Sequence, residues 1–135
     1  MTANNKIAFI RLRDWPLANV RVKEIVINEF SEFEVDTINV GSLIKRHPII
    51  IFANILHIFF YYGKDVLLGQ KKARAAFWHT PYIFNSIKKI LTKRLSRENY
   101  LFTFQMQSIV DCSIPNTPHF VYTDHTHLAN LTYRD

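Results

Sequence analysis

The chain has 135 residues, 48% of them hydrophobic and 21% charged, which suits one globular domain with its own core. Seventeen Lys and Arg against eleven Asp and Glu leave a net charge of +6, a balance that favours a phosphate-bearing partner or an anionic membrane surface. Cys112 is the only cysteine, which excludes an internal disulfide and fits a reducing cytosol.

Met1 to Lys6 is polar and lacks the hydrophobic stretch and small-residue cleavage site of a secretory signal, so a cytoplasmic protein is expected. Lys6 to Leu12 is a short β-branched and apolar run that reads as a buried strand, broken by Arg13-Asp14-Trp15-Pro16. Pro16 fits the first turn of a helix. Between Leu17 and Phe30, Val20, Val22, Ile25, Val26 and Phe30 largely keep helical spacing, while Arg21, Lys23, Glu24 and Asn28 face elsewhere.

Phe33 to Val40 alternates as a strand does and ends at Gly41-Ser42. A helical region follows from Leu43 to Leu95, punctuated by Pro48, Gly63, Gly69 and Pro81. Its most apolar part, Pro48 to Tyr62, is shorter than the roughly 20 residues that span hydrocarbon and carries Asn54 and His57, so a buried core helix is expected there. Tyr82 to Arg97 is a basic amphipathic helix: Ile83, Ile87, Ile90, Leu91 and Leu95 form one stripe, and Lys88, Lys89, Lys93, Arg94 and Arg97 crowd the remaining surface. Such a helix either lies on an anionic membrane or buries its stripe against a sheet. Leu101 to Gln107 is a third strand, and His119 to Thr123, after Pro118, a fourth.

Strands separated by helices predict an α/β fold, a Rossmann-like parallel sheet with helices on both faces, as a single domain over residues 1–135. Ligands of such sheets collect outside the carboxyl ends of the strands. The polar turn Asp124-His125-Thr126-His127, following the fourth strand, stands in that position.

The run Thr117-Pro118-His119-Phe120-Val121-Tyr122-Thr123-Asp124-His125-Thr126-His127-Leu128-Ala129-Asn130-Leu131 resembles the amino-domain signature of bacterial retaining GT-B glycosyltransferases, and Phe102 to Ser108 resembles the strand before it. In that family two Rossmann-like domains face each other across a cleft, the amino-terminal one receiving the acceptor and the carboxy-terminal one holding the nucleotide-sugar. The resemblance implies that this chain supplies the acceptor side, with the nucleotide-sugar domain and its acidic donor motif lying beyond Asp135. Catalysis by this truncated unit alone is then not expected.

The family's Val-x-Thr-x-His pattern matches Val121-Tyr122-Thr123-Asp124-His125 and carries the catalytic histidine beside the donor sugar over to His125. Asp124, His127 and Asn130 belong to the same signature and are candidate substrate-binding residues. Retaining transfer builds positive charge on the sugar ring and negative charge on the departing diphosphate, and an imidazole can serve either. In this fold Arg, Lys and helix amino-termini of the second domain hold the diphosphate, so neither a metal nor another cofactor is expected. The implied partners are a nucleotide-sugar donor, a glycan or lipid-linked acceptor and the inner face of the cytoplasmic membrane, without nucleic acid.

Many members of the family carry a glycine-rich turn after the first strand. Arg13-Asp14-Trp15-Pro16-Leu17 replaces it here, and the only glycines are Gly41, Gly63 and Gly69. Arg13 and Trp15 are candidates for an acceptor pocket, beside the simpler reading of a surface Arg and a packing Trp. Two other classes stay open. A metal-dependent hydrolase would draw on His125 and His127 with Asp124 and His119 nearby, although Leu128-Ala129-Asn130 stands where a binuclear site would want further Asp and His. A nucleic-acid-binding module would explain the charge but lacks a binding motif. His47, His57, His79 and Cys112 read as structural, His57 inside an apolar helix.

Overall fold

A computed structural model describes residues 6–14, 17–108 and 110–123. The central strand, β1 (Lys6–Arg11), is flanked by β2 (Glu34–Asn39) and β3 (Tyr100–Met106), and β4 (His119–Tyr122) lies outside β3, giving the order β2-β1-β3-β4. All three pairings are parallel, in the registers Lys6↔Glu34, Ile7↔Phe102 and Thr103↔His119. The α/β, Rossmann-like class read from the sequence is the observed one.

Strand alternation divides the core into two layers. Ala8 and Ile10 of β1 and Ile38 of β2 face α5 (Pro81–Leu95), which buries Ile83, Ile87, Leu91 and Leu95 at one helical stripe, with Ile44 of α2 (Val40–Lys45) beside them. Ile7 and Phe9 point the other way, toward Val26 of α1 (Leu17–Glu29), with Met106 completing the buried set. On this second face Phe9 stacks on Phe104 at 5.8 Å and Phe30 meets Phe102 edge-on at 5.2 Å. Each fully buried leucine or isoleucine contributes on the order of 1.5–3 kcal/mol through burial.

The connection from β3 to β4 contains no helix among its described residues. It crosses as buried chain: Cys112 and Ile114 pack into the α5 layer, and Asp111 forms an ion pair with Lys88 of α5. The same carboxylate accepts from the Ser113 amide at 2.9 Å and the Ser113 hydroxyl at 2.6 Å. Pairing with Lys88, reinforced by Ser113, holds the Asp111 carboxyl down at about 2, from an ordinary 3.8.

The longest helix, α3 (Pro48–Leu67), runs through Gly63 and corrects the expectation of a buried core helix, because only Asn54 and Ile58 of it are buried. Both sheet faces are already occupied, by α1 on one side and by α5 with α2 on the other, so α3 has only one narrow stripe to pack with. That stripe is held by a polar pin. Asn54 donates to the Phe77 carbonyl at 2.9 Å and accepts from the Thr80 hydroxyl, which itself accepts from the Ile83 amide at 3.1 Å and caps α5. His57 is half-buried and stacks on Tyr82 at 4.6 Å, a packing role. After α3 come α4 (Ala73–Ala76) and a 3-10 turn, Phe77–His79.

In urea titrations Asn54→Ala is expected to lower stability by about 1–3 kcal/mol, since it takes the partner from the buried Thr80 hydroxyl and from the Phe77 carbonyl, and Leu91→Ala by about 2–5 kcal/mol. Phe60→Ala, on the outer side of α3, is expected to stay within about 0.5 kcal/mol. Because the carboxyl of Asp111 is depressed, the stability it confers is full above its unfolded value of 3.8 and disappears as the pH falls through about 2. Acid unfolding of Asp111→Asn, followed by circular dichroism, is therefore expected to show a shallower loss of stability over that window.

Candidate functional site

In a parallel sheet all strands end on one side, and here that side opens into a cavity of about 420 Å³ beyond β1 and β2. Leu12, Arg13 and Asp14 enter it from the end of β1, Asn39, Gly41, Ser42 and Lys45 from the β2 to α2 junction, and Ile51, Arg74, Phe77 and Trp78 from the helices that follow. Three cations, Arg13, Lys45 and Arg74, thus meet one acid, Asp14. That acid is already engaged by Arg11, and the Asn39 amide approaches it at 3.4 Å. The arrangement leaves the cavity with an excess of positive charge suited to an anionic group.

The local sequence explains the walls. Asn19, buried in α1, donates to the Arg13 carbonyl at 2.9 Å and so ties down the loop after β1. Asn39 caps α2 by accepting from the Ser42 amide at 3.1 Å. Gly41 donates its amide to the Leu12 carbonyl at 2.9 Å, and a Cβ at Gly41 would stand 2.8 Å from that same oxygen. Gly41 thus lets the β2 to α2 junction pack directly on the end of β1.

A second cavity of about 440 Å³ adjoins the first and shares Arg74, Phe77 and Trp78 with it. Its remaining lining, from Ile55, Ile58, Phe59, Gly63, Val66 and Ala73, is almost wholly apolar. The two together form a polar chamber continued by a greasy one.

Of the site residues expected from sequence, Arg13 lies in the polar chamber. Trp15, Asp124, His125, His127 and Asn130 fall outside the described residues. The strand that leads to His125 is described: β4 runs parallel to β3, the Gln107 amide donates to the Tyr122 carbonyl at 2.8 Å, and Tyr122-Thr123 leave the sheet at the carboxyl edge. Gln107, in a left-handed conformation at φ +67°, turns the chain there, while buried Gln105 donates to the Gln107 and Val110 carbonyls, both at 2.6 Å. His119 lies 2.6 Å from the Thr103 hydroxyl through Nδ1, and burial, opposed by the charge of Asp111, lowers its pKa. Among the described residues no group of three His, Cys, Asp or Glu side chains converges on a point that could hold a metal ion.

The basic helix expected to face a membrane, α5, has spent its apolar stripe on the core. Lys88 is taken by Asp111, and Arg94 by Asp36, which also accepts from the Tyr100 hydroxyl at 2.7 Å. Lys89, Lys93 and Arg97 remain on the surface, with no apolar face of their own helix available beside them. Sequence reasoning missed Lys45, Arg74, Phe77 and Trp78 as pocket residues. The basic character of Lys45 and Arg74 names no partner in space, and Phe77 and Trp78 carry no signal beyond being aromatic.

Comparison of the chain with protein-family models, with curated proteins and with solved structures finds no match.

Burial pushes the Cys112 thiol up to about 12, so it is not a nucleophile at neutral pH. It is expected to resist a thiol-specific chromogenic disulfide in the native protein and to react fully once the chain is unfolded in urea. Gly41→Ala, which sets a methyl group against the Leu12 carbonyl, is expected to cost about 1–3 kcal/mol, read as a lower urea midpoint.

Proposed function

We propose that this chain is the acceptor-side domain of a retaining GT-B glycosyltransferase that moves a hexose from a nucleotide-sugar to a lipid-linked or cell-envelope acceptor at the cytoplasmic face of the membrane. The observation that carries the reading is the motif Val121-Tyr122-Thr123-Asp124-His125, whose first residues form a parallel strand leaving the sheet on the side where the ligand cavities of this fold class lie. The excess of positive charge around Arg13, Lys45 and Arg74 supports it further, since phosphate-linked acceptors and diphosphate leaving groups are both anionic. The apolar chamber next to it suits the hydrocarbon of a lipid-linked acceptor.

In this reading His125 acts beside the donor sugar, where a hydrogen bond or a partial charge that matches the developing oxocarbenium lowers the barrier. Arg13 and Arg74 hold the acceptor's anionic group, and Trp15, Asp124, His127 and Asn130 complete its surroundings. The nucleotide-sugar belongs to a second Rossmann-like domain, so activity needs both halves.

The decisive experiment supplies a nucleotide-sugar domain in the same reaction and follows transfer of labelled hexose to a lipid extract. His125→Ala is expected to reduce kcat by about 10²–10³ with the fold intact. Transfer undiminished in that variant would remove His125 from the site, and zinc bound in stoichiometric amount by the purified chain would favour a hydrolase instead.

A further inference from the structure

Among the described residues, one surface takes no part in the fold or in the cavity at the strand ends. The outer face of α3 presents Ile49, Phe52, Leu56, Phe60 and Leu67, which recur at helical spacing and stand between 57% and 84% exposed. A continuous apolar face on a helix of twenty residues, about 30 Å long, is more than a monomeric soluble protein normally leaves to water.

The charges around it are nearly all of one sign. Arg46 stands before the amino end of α3, Lys64 in its last turn, and Lys72 just past its carboxyl end, all exposed. Asp65 is the only acidic residue between Val40 and Arg97. Two copies of the chain joined through this face would set these cations against each other with almost no acid to answer them. An anionic lipid surface answers them directly, through its phosphates above and its hydrocarbon below.

By length and composition α3 could also cross a bilayer, but its inner stripe is committed: Asn54 is pinned to Phe77 and Thr80, and Ile58 is buried. A helix tethered along one side can lie in the interface but cannot thread through it. We propose that the outer face of α3 docks in the plane of an anionic lipid bilayer, its aromatic and aliphatic side chains entering the headgroup boundary while the flanking Lys and Arg side chains contact lipid phosphate. The apolar cavity opens between α3 and α4, lined by Ile55 and Phe59 on the flank of the same helix, so the docked orientation sets it at the lipid boundary.

The test is co-sedimentation of the full chain with vesicles of phosphatidylcholine alone and of phosphatidylcholine mixed equally with phosphatidylglycerol, with no sugar donor present. Binding to the mixed vesicles, at least about tenfold tighter than to the neutral ones, is expected. The charge-neutral pair Phe52→Ser with Phe60→Ser is expected to weaken it by about tenfold or more while leaving the far-ultraviolet spectrum unchanged. Arg46→Glu with Lys72→Glu is expected to weaken it more than the same charge change on α5, Lys89→Glu with Lys93→Glu. Equal binding to both vesicle types, or wild-type binding by the Phe52 and Phe60 pair, overturns the proposal. So does a lipid-free dimer, seen by sedimentation velocity, that the same pair dissolves while vesicle binding is nil. Should that pair fail to fold, Phe60→Trp decides: its emission shifts to the blue on mixed vesicles if the face is inserted, and an unchanged spectrum in the bound protein refutes insertion. Because no sugar is transferred in this assay, its outcome and that of the glycosyl-transfer experiment are independent.

Discussion

The hydrogen bonds among Asn54, Thr80 and Phe77 decide how the helical half of this chain sits on its sheet. Besides them α3 is held by Ile50, Ile51 and Ile58, by the stacking of His57 on Tyr82, and by the Tyr62 hydroxyl on the His79 carbonyl. A buried amide has to be satisfied, and its partners among the described residues are the Phe77 carbonyl and the hydroxyl that caps α5, so polar geometry helps to set the rotation of α3 about its axis. Two consequences follow from that one orientation: Ile55 and Phe59 wall the apolar cavity, and Phe52 and Phe60 face outward.

The polar chamber depends on a different economy. Its floor is the carboxyl edge of the parallel sheet, common to the whole fold class, but its cations come from the end of β1, from α2 and from α4, the last reached only through α3. Gly41 allows the β2 to α2 junction to touch the end of β1 where a side chain would intrude on the Leu12 carbonyl. The site is therefore assembled by the helical segment as much as by the strands.

The sheet and α5 were legible in the sequence because each carries a strict periodicity that its neighbours satisfy. Ile83, Ile87, Leu91 and Leu95 repeat at helical spacing and are buried, and the strand boundaries differ from expectation by a residue or so at the ends, where hydrogen bonding frays. The environment of α3 was not legible. A helix that is apolar nearly all round reads the same whether it is surrounded or exposed, and only the number of faces the sheet has left to offer, already filled here by α1, α2 and α5, distinguishes the two cases. Arg13 was readable as a pocket residue from its place after β1. Lys45 and Arg74 were not, because nothing short of the tertiary fold brings them to it. The β3 to β4 crossing is secured by Cys112, Ile114 and the Asp111 pair, which no local pattern announces.

The position of β1 at the centre of the sheet also governs how the chain is made. Its first partner, β2, is close in sequence, but the other edge of β1 has to wait for β3, with Lys6 finally opposite Tyr100 and Ile10 opposite Gln105. During synthesis the ribosome therefore holds a nascent chain whose β1 and β2 can pair early while Phe9 still lacks Phe104 and the oily α3 has already emerged. Loops of that length close slowly, and a half-finished sheet beside an exposed apolar helix is the species that chaperones bind and that aggregates when they do not. Until β3 reaches its place, β1 keeps one edge unpaired beside that helix.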